Sequence, residues 1–157
     1  MLKYVNHDIV FQEFPDQVSL AINLSLCPCR CEGCHSPRLW GDVGDELTTE
    51  RLCALIDHYG PTITCVGLMG GDNDPARVWT LLSEVRHRYP SLLTGWYSGR
   101  EALPDACRGL DPPDFVKLGP WRAECGPLSA PTTNQRLLRY DRHGTWTDVT
   151  ERFWRKT

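Results

Sequence analysis

The chain lacks any long apolar run. None of its stretches approaches the roughly 18 residues that a membrane-crossing helix needs, so no membrane partner is expected. It also lacks an excess of either charge: Lys and Arg number 17, Asp and Glu 20, and the formal net charge is −3. Such a balance supplies no electrostatic reason to expect nucleic acid or an anionic surface as partner. Met1-Leu2-Lys3-Tyr4 opens no secretory apolar segment, and a cytoplasmic location is expected. There is no internal repeat and no linker-like composition. Residues 1–157 are therefore expected to form a single domain, and an apolar fraction of 41% with six Trp argues for a folded globule.

Cysteine is abundant and unevenly placed. Four of the eight fall within Cys27-Pro28-Cys29-Arg30-Cys31-Glu32-Gly33-Cys34, which His35 follows. Neighbours this close rarely bridge each other without strain, and the chain shows no secretory signal, so a disulfide scaffold is disfavoured. Cys27, Cys31 and Cys34 have the spacing C-x3-C-x2-C. A loop this short can wrap one corner of a cubane, each thiolate taking one iron, and the three read as ligands of a 4Fe-4S cluster. The fourth iron is then open to another ligand. The alternative is a structural zinc site, but zinc usually takes Cys pairs from separate segments, which four ligands in eight residues match poorly. Cys29 is read as a non-ligand. Cys53 and Cys65 lie in apolar patterns and read as core, while Cys107 and Cys125 have no assignment.

Periodicity gives alternating strands and helices. Asp8–Phe14 and Val18–Leu26 read as strands separated by the turn Pro15-Asp16. Residues 36–46 read as loop. Thr48-Thr49-Glu50 opens a helix through Leu52, Leu55, Ile56 and Tyr59, which Gly60-Pro61 stops. Ile63–Met69 is a nearly continuous apolar run, as for a strand buried on both faces. Asp74-Pro75 caps a second helix carrying Val78, Leu81, Leu82 and Val85. Leu92–Tyr97 and Asp114–Leu118 read as strands, with a short helix over Glu101–Cys107 between them. After a long loop over 119–136, Leu137–Tyr140 and Trp146–Val149 form a closing hairpin, with a terminal helix over Glu151–Arg155. The expected fold class is α/β: an open, partial (βα) barrel with a mostly parallel sheet and right-handed crossovers, an N-terminal strand and a C-terminal hairpin being added to it.

The three cysteines, followed one strand later by Gly70-Gly71-Asp72, resemble the motifs of the radical S-adenosylmethionine (SAM) enzymes. Gly33-Cys34-His35-Ser36-Pro37-Arg38-Leu39-Trp40 and Thr133-Asn134-Gln135-Arg136 narrow the resemblance to the activating proteins of anaerobic (class III) ribonucleoside-triphosphate reductases, over about Val18 to Arg136. The resemblance implies the radical SAM type of partial barrel, with a 4Fe-4S cluster and SAM as cofactors. Cys27, Cys31 and Cys34 would be the metal ligands and catalytic centre. SAM would lie against Gly33, Cys34, His35, Gly70, Gly71, Asp72 and Ser98, its amino group held by backbone oxygens and the acid of the Gly-Gly-Asp segment. Gly33 stands where many members carry an aromatic residue, so His35 or backbone is expected to hold the adenine. Lys117 either pairs with the SAM carboxylate or is a solvated strand-edge lysine. The implied reaction is reductive cleavage of SAM and formation of a glycyl radical on the large subunit of the reductase. A one-electron donor such as flavodoxin would supply the electron, and Trp40, Trp96 and Trp121 would either offer an apolar rim for the partner or pack in the core, Trp96 above all. The rival readings are an activase of another glycyl radical enzyme, a small-molecule radical SAM enzyme, and a non-catalytic iron–sulfur or zinc protein.

Overall fold

The computed structural model describes residues 2–25 and 41–154. Strands β1 (Lys3–Val10) and β2 (Ser19–Leu24) form an antiparallel hairpin, and the two-residue β3 (Asp45–Glu46) pairs with the outer side of β1. Helix α1 (Thr49–Tyr59) leads to β4 (Cys65–Met69), and helix α2 (Pro75–Arg88) leads to β5 (Leu93–Tyr97). Then come β6 (Phe115–Leu118) and the hairpin of β7 (Arg136–Tyr140) with β8 (Trp146–Asp148). The strands form one sheet in the order β3-β1-β2-β4-β5-β6-β7-β8. Both helices start where their caps dictate: Thr48 Oγ1 accepts from Arg51 N and Asp74 Oδ1 from Arg77 N, with Pro75 in the first turn.

The expected partial (βα) barrel with a mostly parallel sheet is not what forms. Only β2, β4, β5 and β6 run parallel, giving three parallel pairings against four antiparallel ones, and the described residues hold two α-helices. A (βα) barrel needs a helix after each parallel strand to cover it. Between β5 and β6 the expected helix over Glu101–Cys107 is a single 3-10 turn, Asp105–Cys107. Pro104 fixes the chain just before it and Gly109, Pro112 and Pro113 follow, so no longer helix can propagate. After β6 the chain returns antiparallel as β7 with no helix between them, and of the expected terminal helix over Glu151–Arg155 the described residues form a 3-10 turn, Thr150–Phe153. The first strand also starts at Lys3 rather than Asp8, because pairing with β2 decides its extent and not alternation within β1.

Alternation across the sheet divides the core in two. Leu20, Ile22 and Leu24 of β2, Val66 and Leu68 of β4, Trp96 of β5 and Val116 and Leu118 of β6 join one buried cluster with Leu52 and Ile56 of α1 and Val78, Leu81, Leu82 and Val85 of α2. A second cluster forms around Phe14, in the turn between β1 and β2, with Cys65, Phe115 and Leu137. The Phe14 ring is fully buried, 5.2 Å from the Tyr97 ring and 5.4 Å from that of Phe115. Beneath it lie Gly67 and Gly95, which are register partners on β4 and β5. A Cβ on Gly67 would stand 2.4 Å from the ring, and one on Gly95 2.3 Å. The two glycines thus make the floor on which the aromatic rests. The Tyr97 hydroxyl donates to Glu13 O and ties the same turn to β5. Burial raises the pKa of that hydroxyl, which keeps its proton in place.

At the start of β6 a buried carboxylate locks the C-terminal hairpin. Asp114 accepts from Thr94 N (2.9 Å), from Arg142 Nε (2.7 Å) and from Arg142 Nη2 (2.9 Å), and Arg139 Nη1 lies 3.5 Å away. Burial alone would favour the neutral acid, but the Arg142 fork, the Thr94 N–H and the charges of Arg142 and Arg139 override it and hold the Asp114 pKa below the usual carboxylate range.

Gly95→Ala is expected to destabilise the protein by about 1–3 kcal/mol, read from the shift of a urea midpoint. Phe14→Leu in the same chain should recover part of that loss, since the two changes meet at one contact. Strictly additive losses would contradict the contact. For Asp114 the sign follows from its lowered pKa. Its contribution is present at neutral pH and declines as pH falls below about 4, where the unfolded chain takes up its proton first. Arg142→Gln should flatten this acid limb of the stability–pH curve, and an unchanged limb would show that the pair does not set it.

Candidate functional site

The four parallel strands end side by side. Asn23 pairs with Met69, Met69 with Tyr97 and Tyr97 with Lys117, so one row crosses β2, β4, β5 and β6 just before their C-terminal ends. In α/β sheets the edge beyond such ends is where ligands bind, because loops rather than ladder residues fill it. Here it receives Ser25 from β2, Gly70-Gly71-Asp72 from β4, Ser98-Gly99-Arg100 from β5 and Gly119 from β6. Two of the expected SAM-binding segments, Gly70–Asp72 and Ser98, are therefore brought together.

The glycines after β4 are needed by geometry. Gly70 and Gly71 have φ of 102° and 85°, the left-handed region that glycine enters without strain. A Cβ on Gly71 would also lie 2.6 Å from Val78 Cγ2 and 2.8 Å from Leu24 Cδ1, so this turn packs directly on the core. Its carbonyls are engaged: Gly70 O accepts from Trp96 Nε1 (2.6 Å) and Gly71 O from Asp74 N (3.0 Å).

Asp72 is 1% exposed. Its Oδ1 accepts from Ser98 Oγ at 2.5 Å and its Oδ2 from Gly99 N at 2.9 Å. Arg100 closes the arrangement, with Nη2 donating to Asp72 O (2.7 Å) and Nε 3.5 Å from Asp72 Oδ1. Hydrogen bonds of this charge-assisted kind are about twice as strong as neutral ones. Ser98 Oγ in turn accepts from Arg100 N (3.0 Å), and Ser98 N donates to Lys117 O (2.9 Å). Lys117 is buried rather than solvated. Its Nζ donates to Gly119 O (3.0 Å) and lies 5.4 Å from the centre of the Tyr97 ring.

Cys27, Cys29, Cys31, Gly33, Cys34, His35 and Trp40 lie outside the described residues. Cys53, Cys65 and Cys107 are buried. Desolvation pushes the thiol of Cys65 up to about 12 and that of Cys107 up to about 11, so both are inert core residues at neutral pH. Among the described residues no group of three or more His, Cys, Asp or Glu is placed to hold a metal ion, and none of the expected ligands is among them. Trp96 belongs to the core and not to a rim, while Trp121 lines a cavity of about 400 Å³ with Gln12, Tyr97, Leu128 and Phe153. Thr133–Arg136 forms the turn into β7, where Thr133 Oγ1 accepts from Gln135 N and Asn134 Nδ2 donates to Pro120 O. Sequence reasoning missed Arg100 and the indole bond of Trp96. Neither has a spacing signal, since each partner lies on the neighbouring strand unit, 26 to 28 residues away.

The carbonyls of Gly70, Gly71 and Asp72 accept from Trp96 Nε1, Asp74 N and Arg100 Nη2, and the buried Asp72 carboxylate lies beside them. Among the described residues no helix is long and apolar enough to cross a membrane. Compared with family models, with curated proteins and with solved structures, the chain matches none.

Asp72→Ala strips the acceptor from Ser98, Gly99 and Arg100 and is expected to cost about 3 kcal/mol in a denaturation experiment. Asp72→Asn, which keeps one oxygen, should lose distinctly less. Equal losses would show that shape and not hydrogen bonding holds the turn.

Proposed function

We propose that the chain is a radical SAM activase that generates a glycyl radical on the large subunit of an anaerobic ribonucleoside-triphosphate reductase. One observation carries the reading: the C-x3-C-x2-C segment follows β2 in the chain, and Gly70-Gly71-Asp72 and Ser98 occupy the same sheet edge beside the end of β2. The reading rests on that edge and on the sequence motifs, not on a barrel.

Cys27, Cys31 and Cys34 would hold the 4Fe-4S cluster. The chemistry supplied there is one-electron reduction of the sulfonium of SAM, with cleavage of a C–S bond to give methionine and a 5′-deoxyadenosyl radical that takes the Cα hydrogen of the partner's glycine. The protein's own part is positional. Backbone oxygens of Gly70 and Gly71 would receive the SAM ammonium, and the buried Asp72 carboxylate would stabilise its charge. Ser98 holds the Asp72 carboxylate in place through the hydrogen bond that its hydroxyl donates. His35 or backbone beside Cys34 meets the adenine. A flavodoxin-like donor supplies the electron.

Reconstituted anaerobically with iron and sulfide, reduced with dithionite and given SAM, the protein is expected to form 5′-deoxyadenosine, detected by mass spectrometry, well above a Cys34→Ala control. Adding the reductase should then produce a glycyl radical in the electron paramagnetic resonance spectrum. An intact cluster that yields no 5′-deoxyadenosine with or without the reductase would overturn the proposal in favour of a non-catalytic cluster protein.

A further inference from the structure

We infer that Arg100 is a positioning residue for the ammonium-binding turn, joining the ends of three strands so that the Gly70–Asp72 segment is held in one arrangement. This rests on the SAM-binding reading of the same site. The guanidinium spans the gap between β5 and β4, with Nη2 on the Asp72 carbonyl at 2.7 Å and Nε 3.5 Å from the Asp72 carboxylate. The main chain of Arg100 makes the other two connections. Its N–H donates to Ser98 Oγ at 3.0 Å, and its carbonyl accepts from Gly119 N at 2.6 Å, which brings in the end of β6.

Two glycines in the left-handed region leave the β4 turn without side chains to restrain it. The orientation of its carbonyls must therefore be fixed from outside. Trp96 fixes the Gly70 carbonyl, the α2 cap fixes that of Gly71, and Arg100 donates to that of Asp72. The side chain of Arg100 is 42% exposed, so its loss removes little apolar burial and acts mainly on this geometry. A lysine ammonium is a compact point charge, whereas the planar arginine fork presents separate nitrogens to carbonyl and carboxylate.

The test compares wild type, Arg100→Gln and Arg100→Lys, each with a reconstituted cluster. SAM affinity is measured by equilibrium dialysis, and amide hydrogen exchange is followed over residues 70–73 in the absence of SAM. Arg100→Gln is expected to weaken SAM binding by about tenfold or more, the loss of one charge-assisted hydrogen bond, and to speed exchange in the turn, with a smaller loss of melting temperature than Asp72→Ala. Arg100→Lys should recover part of both. If wild type binds SAM and Arg100→Gln binds it equally well, the inference fails and the functional reading stands. If wild type binds no SAM, the functional reading fails and the ligand role of Arg100 falls with it. Unchanged exchange over residues 70–73 would refute the positioning role whatever SAM does.

Discussion

A carboxylate removed from water must find donors, and Asp72 finds nearly all of its described ones just past the neighbouring strand. Ser98, Gly99 and Arg100 follow β5 directly and converge on a group that follows β4. Because β4 and β5 are in parallel register, their ends arrive together, and the buried charge makes that coincidence binding. The rest of the edge depends on it. The turn of Gly70 and Gly71 has no side chains of its own to hold it, α2 starts from the residues just beyond, and the β6 end joins through Arg100 and Gly119.

Glycine appears at this edge and again in the middle of the sheet for different reasons. At Gly70 and Gly71 the chain needs a conformation that other residues resist. At Gly67 and Gly95 it needs vacant space, because an aromatic ring from the first turn occupies the place where side chains would stand. Both uses give up local side chains in exchange for a close approach: of the turn to Val78 and Leu24 at the edge, and of Phe14 in the middle of the sheet.

Much of this was legible in the sequence, and the failures have physical causes. Both helices were visible because their caps and apolar spacing act locally. The strands at Val18, Ile63, Leu92 and Asp114 were visible because burial on both faces makes them apolar. Topology was not. The expected helix over 101–107 has ample length but is bracketed by Pro and Gly, and a helix needs uninterrupted donors more than it needs length. The two-residue β3 carries only acids and is held by pairing alone. Gly70-Gly71-Asp72 and Ser98 were singled out separately, as SAM-binding segments, and the structure places them in contact. Arg100 was invisible, because a partnership across strands leaves no period in the chain.

Phe14 has a consequence for how the chain assembles. It belongs to a hairpin of adjacent strands, which closes within microseconds in typical cases, whereas its seat on Gly67 and Gly95 requires parallel strands far along the chain to pair. The first hairpin must therefore present a bare aromatic ring until the middle of the chain arrives. During synthesis, when the N-terminal end emerges first, that interval lasts for as long as the ribosome takes to add β4, α2 and β5, several seconds at about 5–20 residues per second. The residue that seals the finished sheet is thus also its most exposed apolar liability while the protein is being made.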